Sequence, residues 1–162
     1  MSLRTTIRDH LLGIWAGEPW YGSSSKQILE DVTAAEAAAR PLPGAQTIWE
    51  TALHMAAWTE EATSRVRGNR AKDPDGGDWP GVTATTPAAW ISATDRLRAA
   101  RYALLEALEK AHEEDLYMLV GNHAEASTTK VTRAQTASGL VEHDVYHLGQ
   151  IALLKKSLRA KG

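Results

Sequence analysis

His143-Asp144-Val145-Tyr146-His147-Leu148-Gly149-Gln150-Ile151 is the stretch on which the reading of this chain turns. An α-helix rises about 1.5 Å per residue, so its two histidines share one helix face about 6 Å apart along the axis. Leu140 precedes them on that face, and Ile151, Leu154 and Leu158 follow. The period predicts a helix from about Arg133 to Leu158 with two imidazoles in its apolar stripe. Such imidazoles need partners, because a buried polar group left unsatisfied costs about 1–3 kcal/mol.

Helical spacing recurs upstream. Leu3, Ile7, Leu11 and Ile14 predict a helix from about Leu3 to Trp15, broken by Gly17, Pro19 and Gly22. Ser25 to Arg40 is a second, Ala-rich helical stretch, stopped by Pro41 and Pro43. Ile48, Ala52, Met55, Thr59, Ala62 and Val66 stripe a long helix from Gln46 to Arg67, with Gly68 as its C-terminal stop. Asn69 to Thr86 holds Pro74, Gly76, Gly77, Pro80 and Gly81 and reads as a long loop, whose part around Trp79 is expected to line the pocket together with the helices. Thr86-Pro87 opens another helix, carried by Trp90, Ile91, Leu97, Leu104 and Leu108 to about Glu114. Gly121 to Lys130 is polar and loop-like. No alternating strand pattern appears. The expectation is one all-α domain over residues 1–162. It is a four-helix bundle with a long loop between its second and third bundle helices.

Composition excludes several classes. At 162 residues a fold buries about 70% of the surface its unfolded chain exposes, so the core needs no disulfide or metal to form. There is no Cys, which removes disulfide frameworks, thiolate zinc sites and cysteine nucleophiles. A net charge of -2 is unlike the basic footprint of a nucleic-acid binder. Lys155, Lys156, Arg159 and Lys161 are the one basic cluster, and they suit a helix C-terminus. No run of about 20 apolar residues is present to span a membrane. Arg4, Arg8 and Asp9 interrupt the first apolar positions, so no secretory signal is read there. A cytoplasmic location is the expectation.

A third imidazole is available at His54, on a face bordering the Met55 stripe. In bundles, metal sites are built from side chains on facing helices. Three neutral histidines with open positions form a catalytic rather than a structural pattern. Spacing alone leaves the alternative of ordinary, hydrogen-bonded core histidines. Gln150, three residues after His147, is placed to hold a ligand imidazole. Glu61, Glu50 and Trp58 lie near His54 along its helix as candidates for the pocket, each with a structural alternative. Gly149 leaves room for close helix packing. His10 reads as a boundary residue, His112 as a helix-end residue and His123 as a loop residue.

Two segments carry a family resemblance. Thr47-Ile48-Trp49-Glu50-Thr51-Ala52-Leu53-His54-Met55-Ala56-Ala57-Trp58 resembles the H-x-x-x-W signature of the DinB-like superfamily. His143 to Ile151 is similar to its H-x-x-x-H-x-G-Q-I motif. Pro19-Trp20-Tyr21-Gly22 and the Arg40-Pro41 to Gly44 segment resemble one branch of the same superfamily. The resemblance implies a four-helix bundle with one divalent transition metal, nickel or zinc, on His54, His143 and His147.

The zincin protease pattern needs Glu directly after its first His, where this chain has Asp144, which at that helix position points away from the shared histidine face. The paired Glu-x-x-His motifs of di-iron bundles are absent from the sequence. Several DinB-like proteins resemble thiol transferases or thiol-dependent isomerases, and that resemblance implies a small electrophilic substrate and a low-molecular-weight thiol. A metal-dependent hydrolase and a non-catalytic metal-containing binding or stress-response module are the alternatives. Trp20, Trp49, Trp79 and Trp90 are more aromatic surface than a small bundle readily hides, which points to a homodimer. The family resemblance implies pairing as well.

Overall fold

The computed structural model describes residues 2–121 and 130–160. Among the described residues, six α-helices run in the order α1 (Leu3–Ala16), α2 (Ser25–Leu29), α3 (Ala34–Ala38), α4 (Ile48–Val66), α5 (Pro87–Lys110) and α6 (Arg133–Arg159). A 3-10 turn occupies Glu113–Tyr117. Among the described residues, β-pairing is limited to one isolated bridge between Leu119 and Thr132. The protein is an all-α bundle of the long helices α1, α4, α5 and α6. The expected loop of residues 121–130 falls mostly outside the described residues, as does His123.

Each long helix starts at a side-chain cap. Ser2 accepts from the Thr5 N–H at α1, and Thr86 accepts from Ala89 with Pro87 in the first turn of α5. Thr47 with Glu50, and Thr132 with Gln135, form reciprocal capping boxes at α4 and α6. Each box satisfies two backbone donors that a helix start otherwise leaves open. Gly68 ends α4 at a φ of +95°, and a Cβ there would lie 2.6 Å from the Arg133 guanidinium.

Two boundaries differ from expectation. The stretch from Ser25 to Arg40 is two short helices, α2 and α3, rather than one. Thr33 is the reason, because its side chain accepts from Glu36 N and its own N–H donates to Glu36. That box starts a new helix where the old one would have continued. The helix from Thr86 ends at Lys110, and the chain then tightens into the 3-10 turn that contains Glu113 and Glu114.

α4 packs chiefly on α5 and α6, and α1 lies along α6. Leu11, Ile48, Met55, Leu97, Leu104, Leu108 and Ile151 are fully buried between them. Every residue of the expected α4 stripe is buried. Full burial of one such side chain stabilises by about 1.5–3 kcal/mol. Trp49 and Trp90 also belong to this core, with ring centroids 5.2 Å apart. They therefore drop out of the aromatic surface on which a homodimer was expected, and Trp20, 95% exposed, stays in it. Gly149 is not a packing glycine either. It is exposed, and nothing lies within 4 Å of where its Cβ would be. No helix among the described residues is long and apolar enough to cross a membrane.

Candidate metal centre

α4 and α6 bring His54, His143 and His147 together. One ligand atom from each lies within 4.8 Å of the others. His54 Nε2 and His143 Nε2 are 3.0 Å apart. The ring centroids of His143 and His147 are 4.5 Å apart, and those of His54 and His147 are 4.6 Å apart. Ligand atoms about 2.0–2.1 Å from a tetrahedral ion lie a little over 3 Å from one another. The cluster is therefore close to the spacing an ion needs, and the group could hold a divalent metal.

The other ring nitrogens all face protein acceptors. His54 Nδ1 lies 2.7 Å from the Asp78 carbonyl oxygen. A carbonyl only accepts, so Nδ1 carries the proton and Nε2 turns a lone pair toward the cluster. His147 Nδ1 lies 2.8 Å from Gln150 Oε1. His143 Nδ1 faces Asp144 Oδ1 at 3.8 Å. Such outer contacts set the tautomer and the direction of a ligand imidazole.

Electrostatics favour neutral rings at His54 and His147. Burial pushes the His54 imidazole below its usual pKa, outweighing the Asp78 carbonyl that pulls it up. Burial pushes His147 down to about 4, against the opposing pull of Gln150. Neutral imidazole is the form that donates a lone pair to a metal. Asp144 is fully buried. Burial alone would raise its carboxyl, but Arg101, His143 and the Trp15 N–H together hold it below the usual range.

The long loop between α4 and α5 closes over this cluster. Asp78 accepts at Oδ1 from Trp58 Nε1 at 2.7 Å, while its carbonyl holds His54. Trp79 stacks on His54 with centroids 3.9 Å apart and planes 12° apart. It also meets His147 edge-on at 5.9 Å. The loop is tied down further back, where the Lys72 N–H donates to Glu61 and Arg65 donates to the Lys72 carbonyl.

The remaining residues singled out in the sequence divide by position. Gln150 touches a candidate ligand, and Trp58 fastens the loop beside His54. Glu61 is buried and engaged by Arg65 and the Lys72 N–H. Glu50 is bound to the Thr47 cap and to both oxygens' worth of Arg40 contact, at 2.8 and 2.9 Å. His10 and His112 are exposed. Sequence reasoning placed the loop around Trp79 at the pocket but missed the contacts of Asp78 and Arg101 and the buried partners of Asp144. Asp78 and Trp79 sit in a Gly- and Pro-rich loop without periodicity, so no sign in the sequence showed which histidine they would meet. Asp144 was expected to point away from the histidine face. That side of α6 is buried, where Trp15 and Arg101 supply donors to its carboxylate, and its other oxygen lies 3.8 Å from His143 Nδ1.

A cavity of about 200 Å³ opens beside the cluster, with His143 in its wall. Trp58, Ala62, Val120 and Leu140 make it largely apolar, and Arg65 also lines it.

Comparison with curated proteins and with solved structures gives no match. The DinB superfamily model matches residues 23–151, a span that contains all three histidines and most of the bundle, and the chain belongs to that superfamily.

Proposed function

We propose that this protein binds one divalent transition metal, nickel or zinc, through Nε2 of His54, His143 and His147, and transfers an external thiol to a small electrophile. The observation that carries the metal reading is the orientation of the three rings. Their Nδ1 atoms face Asp78, Gln150 and Asp144, Nε2 of His54 and His143 meet at 3.0 Å, and one nitrogen of each ring lies within 4.8 Å of the others. Imidazole donors suit nickel and zinc alike. An ion with three histidine ligands and an open position supplies a Lewis acid that makes a thiol acidic near neutral pH.

The chain's own residues favour a thiol over water as nucleophile. Glu50, Glu60 and Glu61, the carboxylates of α4, are already engaged by the Thr47 cap with Arg40, by Arg96 and by Arg65. None of them is free to take a proton from water. A thiol needs less help, since its pKa starts near 8.5. The chain has no Cys, so the sulfur comes from a low-molecular-weight co-substrate. In the transfer, the thiol loses its proton to solvent and a C–S bond forms at the electrophilic carbon. The bond to the leaving group breaks, and that group departs with the electron pair. The cavity beside His143 is the place for a small, largely apolar substrate, and Trp79 and Trp58 shield the histidine cluster from water.

The test is elemental analysis of the purified protein followed by turnover of an activated aryl halide with a panel of low-molecular-weight thiols. Metal-dependent consumption with at least one thiol, lost in His143→Ala, is the expected result. Ester hydrolysis without thiol would replace this reading by the hydrolase. Bound metal with neither reaction would leave a non-catalytic binding module.

A further inference from the structure

Asp144 is the buried charge that the proposed reaction does not use. Its side chain is wholly inaccessible. One oxygen, Oδ2, accepts from Trp15 Nε1 at 2.6 Å and from Arg101 Nη2 at 3.1 Å. Arg101 is held in turn by Ser25 Oγ at 2.8 Å and lies over the Trp15 ring at 5.1 Å. The carboxylate is thus pinned from α1, α2 and α5, three elements that carry none of the histidines.

The other oxygen, Oδ1, is buried without a hydrogen-bond partner, and so is His143 Nδ1. These two orphaned atoms face each other at 3.8 Å. A nitrogen–oxygen hydrogen bond is about 2.9 Å long, so a shift of under about 1 Å would satisfy both. His143 Nε2 is also 3.0 Å from His54 Nε2, closer than two nitrogens stand on one tetrahedral ion. Drawing His143 away from His54 to ligand spacing and closing the gap to Asp144 are compatible small movements of one ring.

We infer that Asp144 is a positioning residue for the metal centre: its Oδ1 accepts the Nδ1 proton of His143 and aims His143 Nε2 at the ion. This inference rests on the metal reading above. Fixed tautomer and direction strengthen a ligand, and loss of such a contact weakens metal binding by about 10- to 100-fold. The Arg101–Asp144 pair has a second consequence. It couples the ligand helix α6 to α5 and α2, so the direction of one imidazole depends on packing well away from the cluster.

The experiment measures zinc affinity by chelator competition in wild type, Asp144→Asn, the double variant Asp144→Asn with Arg101→Met, and Trp15→Phe. The double variant leaves neither charge buried alone, so it keeps the fold where the single one is strained. Both Asp144 variants are expected to bind zinc about 10- to 100-fold more weakly. Trp15→Phe loses a bond to Oδ2 but leaves Oδ1 in place, and retains affinity within about threefold. Nitrogen-15 NMR of the zinc-loaded wild type is expected to show a hydrogen-bonded Nδ1–H on His143. Wild-type affinity in the double variant, an equal loss in Trp15→Phe, or zinc on His143 Nδ1 would each overturn the inference while leaving the metal site standing. Failure of the wild type to bind any divalent metal would overturn both.

Discussion

His54 Nε2 faces His143 Nε2 at 3.0 Å while the opposite nitrogen of His54 is held by the Asp78 carbonyl. With its proton committed to that carbonyl, His54 presents a lone pair to a second imidazole on a facing helix. A divalent cation among the three rings would turn this crowding into coordination.

The first prediction is stoichiometric. Purified protein should carry about one divalent transition metal per chain, because three imidazoles on two helices make one site. His143→Ala should remove most of it. Elemental analysis decides this, and full retention of metal in the variant would contradict the assignment.

Removal of the metal should leave the fold in place. The bundle has its own core, in which Leu11, Leu97, Leu104 and Leu108 are buried without contribution from the histidines. The circular dichroism of the chelated protein should stay strongly helical. Collapse to a coil spectrum would mean that the ion is structural.

Acid should destabilise the metal-free protein in a defined window. His147 is pushed down to about 4 in the folded chain from its ordinary 6.5. Between these values the unfolded chain binds a proton that the folded chain refuses, so stability falls as pH drops. The contribution is complete above the ordinary value and is lost as pH falls towards the depressed one. Melting temperatures of chelated wild type and His147→Asn across this range provide the check. The decline should be shallower in the variant, and identical slopes would refute the attribution.

Arg101→Ala should be among the most damaging single changes. It leaves the Asp144 carboxylate buried without its cation, 3.1 Å from where the guanidinium stood. Breaking one side of a buried pair costs about 3–5 kcal/mol. Urea unfolding should show a loss of that size, whereas a loss below about 1 kcal/mol would mean that water or another group reaches Asp144.

Gln150→Ala should separate stability from ligation. Gln150 is partly exposed and its amide oxygen meets His147 Nδ1 at 2.8 Å. Metal affinity should fall by about 10-fold or more, with little change in the urea midpoint. Equal affinity in the two proteins would show that His147 is oriented by packing alone.

By itself the sequence determined the helical class and the shared face of His143 and His147, because both follow from local periodicity, while His54 joined them as a candidate ligand through the family resemblance. The stripe from Ile48 to Val66 and the i, i+4 pair His143 and His147 each need only the geometry of a single helix. Caps such as Thr86-Pro87 were legible for the same reason. The break between α2 and α3 was missed because a reciprocal cap at Thr33 overrides an Ala-rich pattern. Tertiary structure alone decided what surrounds the histidines. Asp78 and Trp79 reach His54 across 24 and 25 positions of sequence through an aperiodic loop. Asp144 lies next to His143 in the chain, yet its direction is dictated by Trp15 and Arg101, which are 129 and 43 positions away. A buried carboxylate goes where its donors are, and no local pattern in the chain records where distant donors will stand.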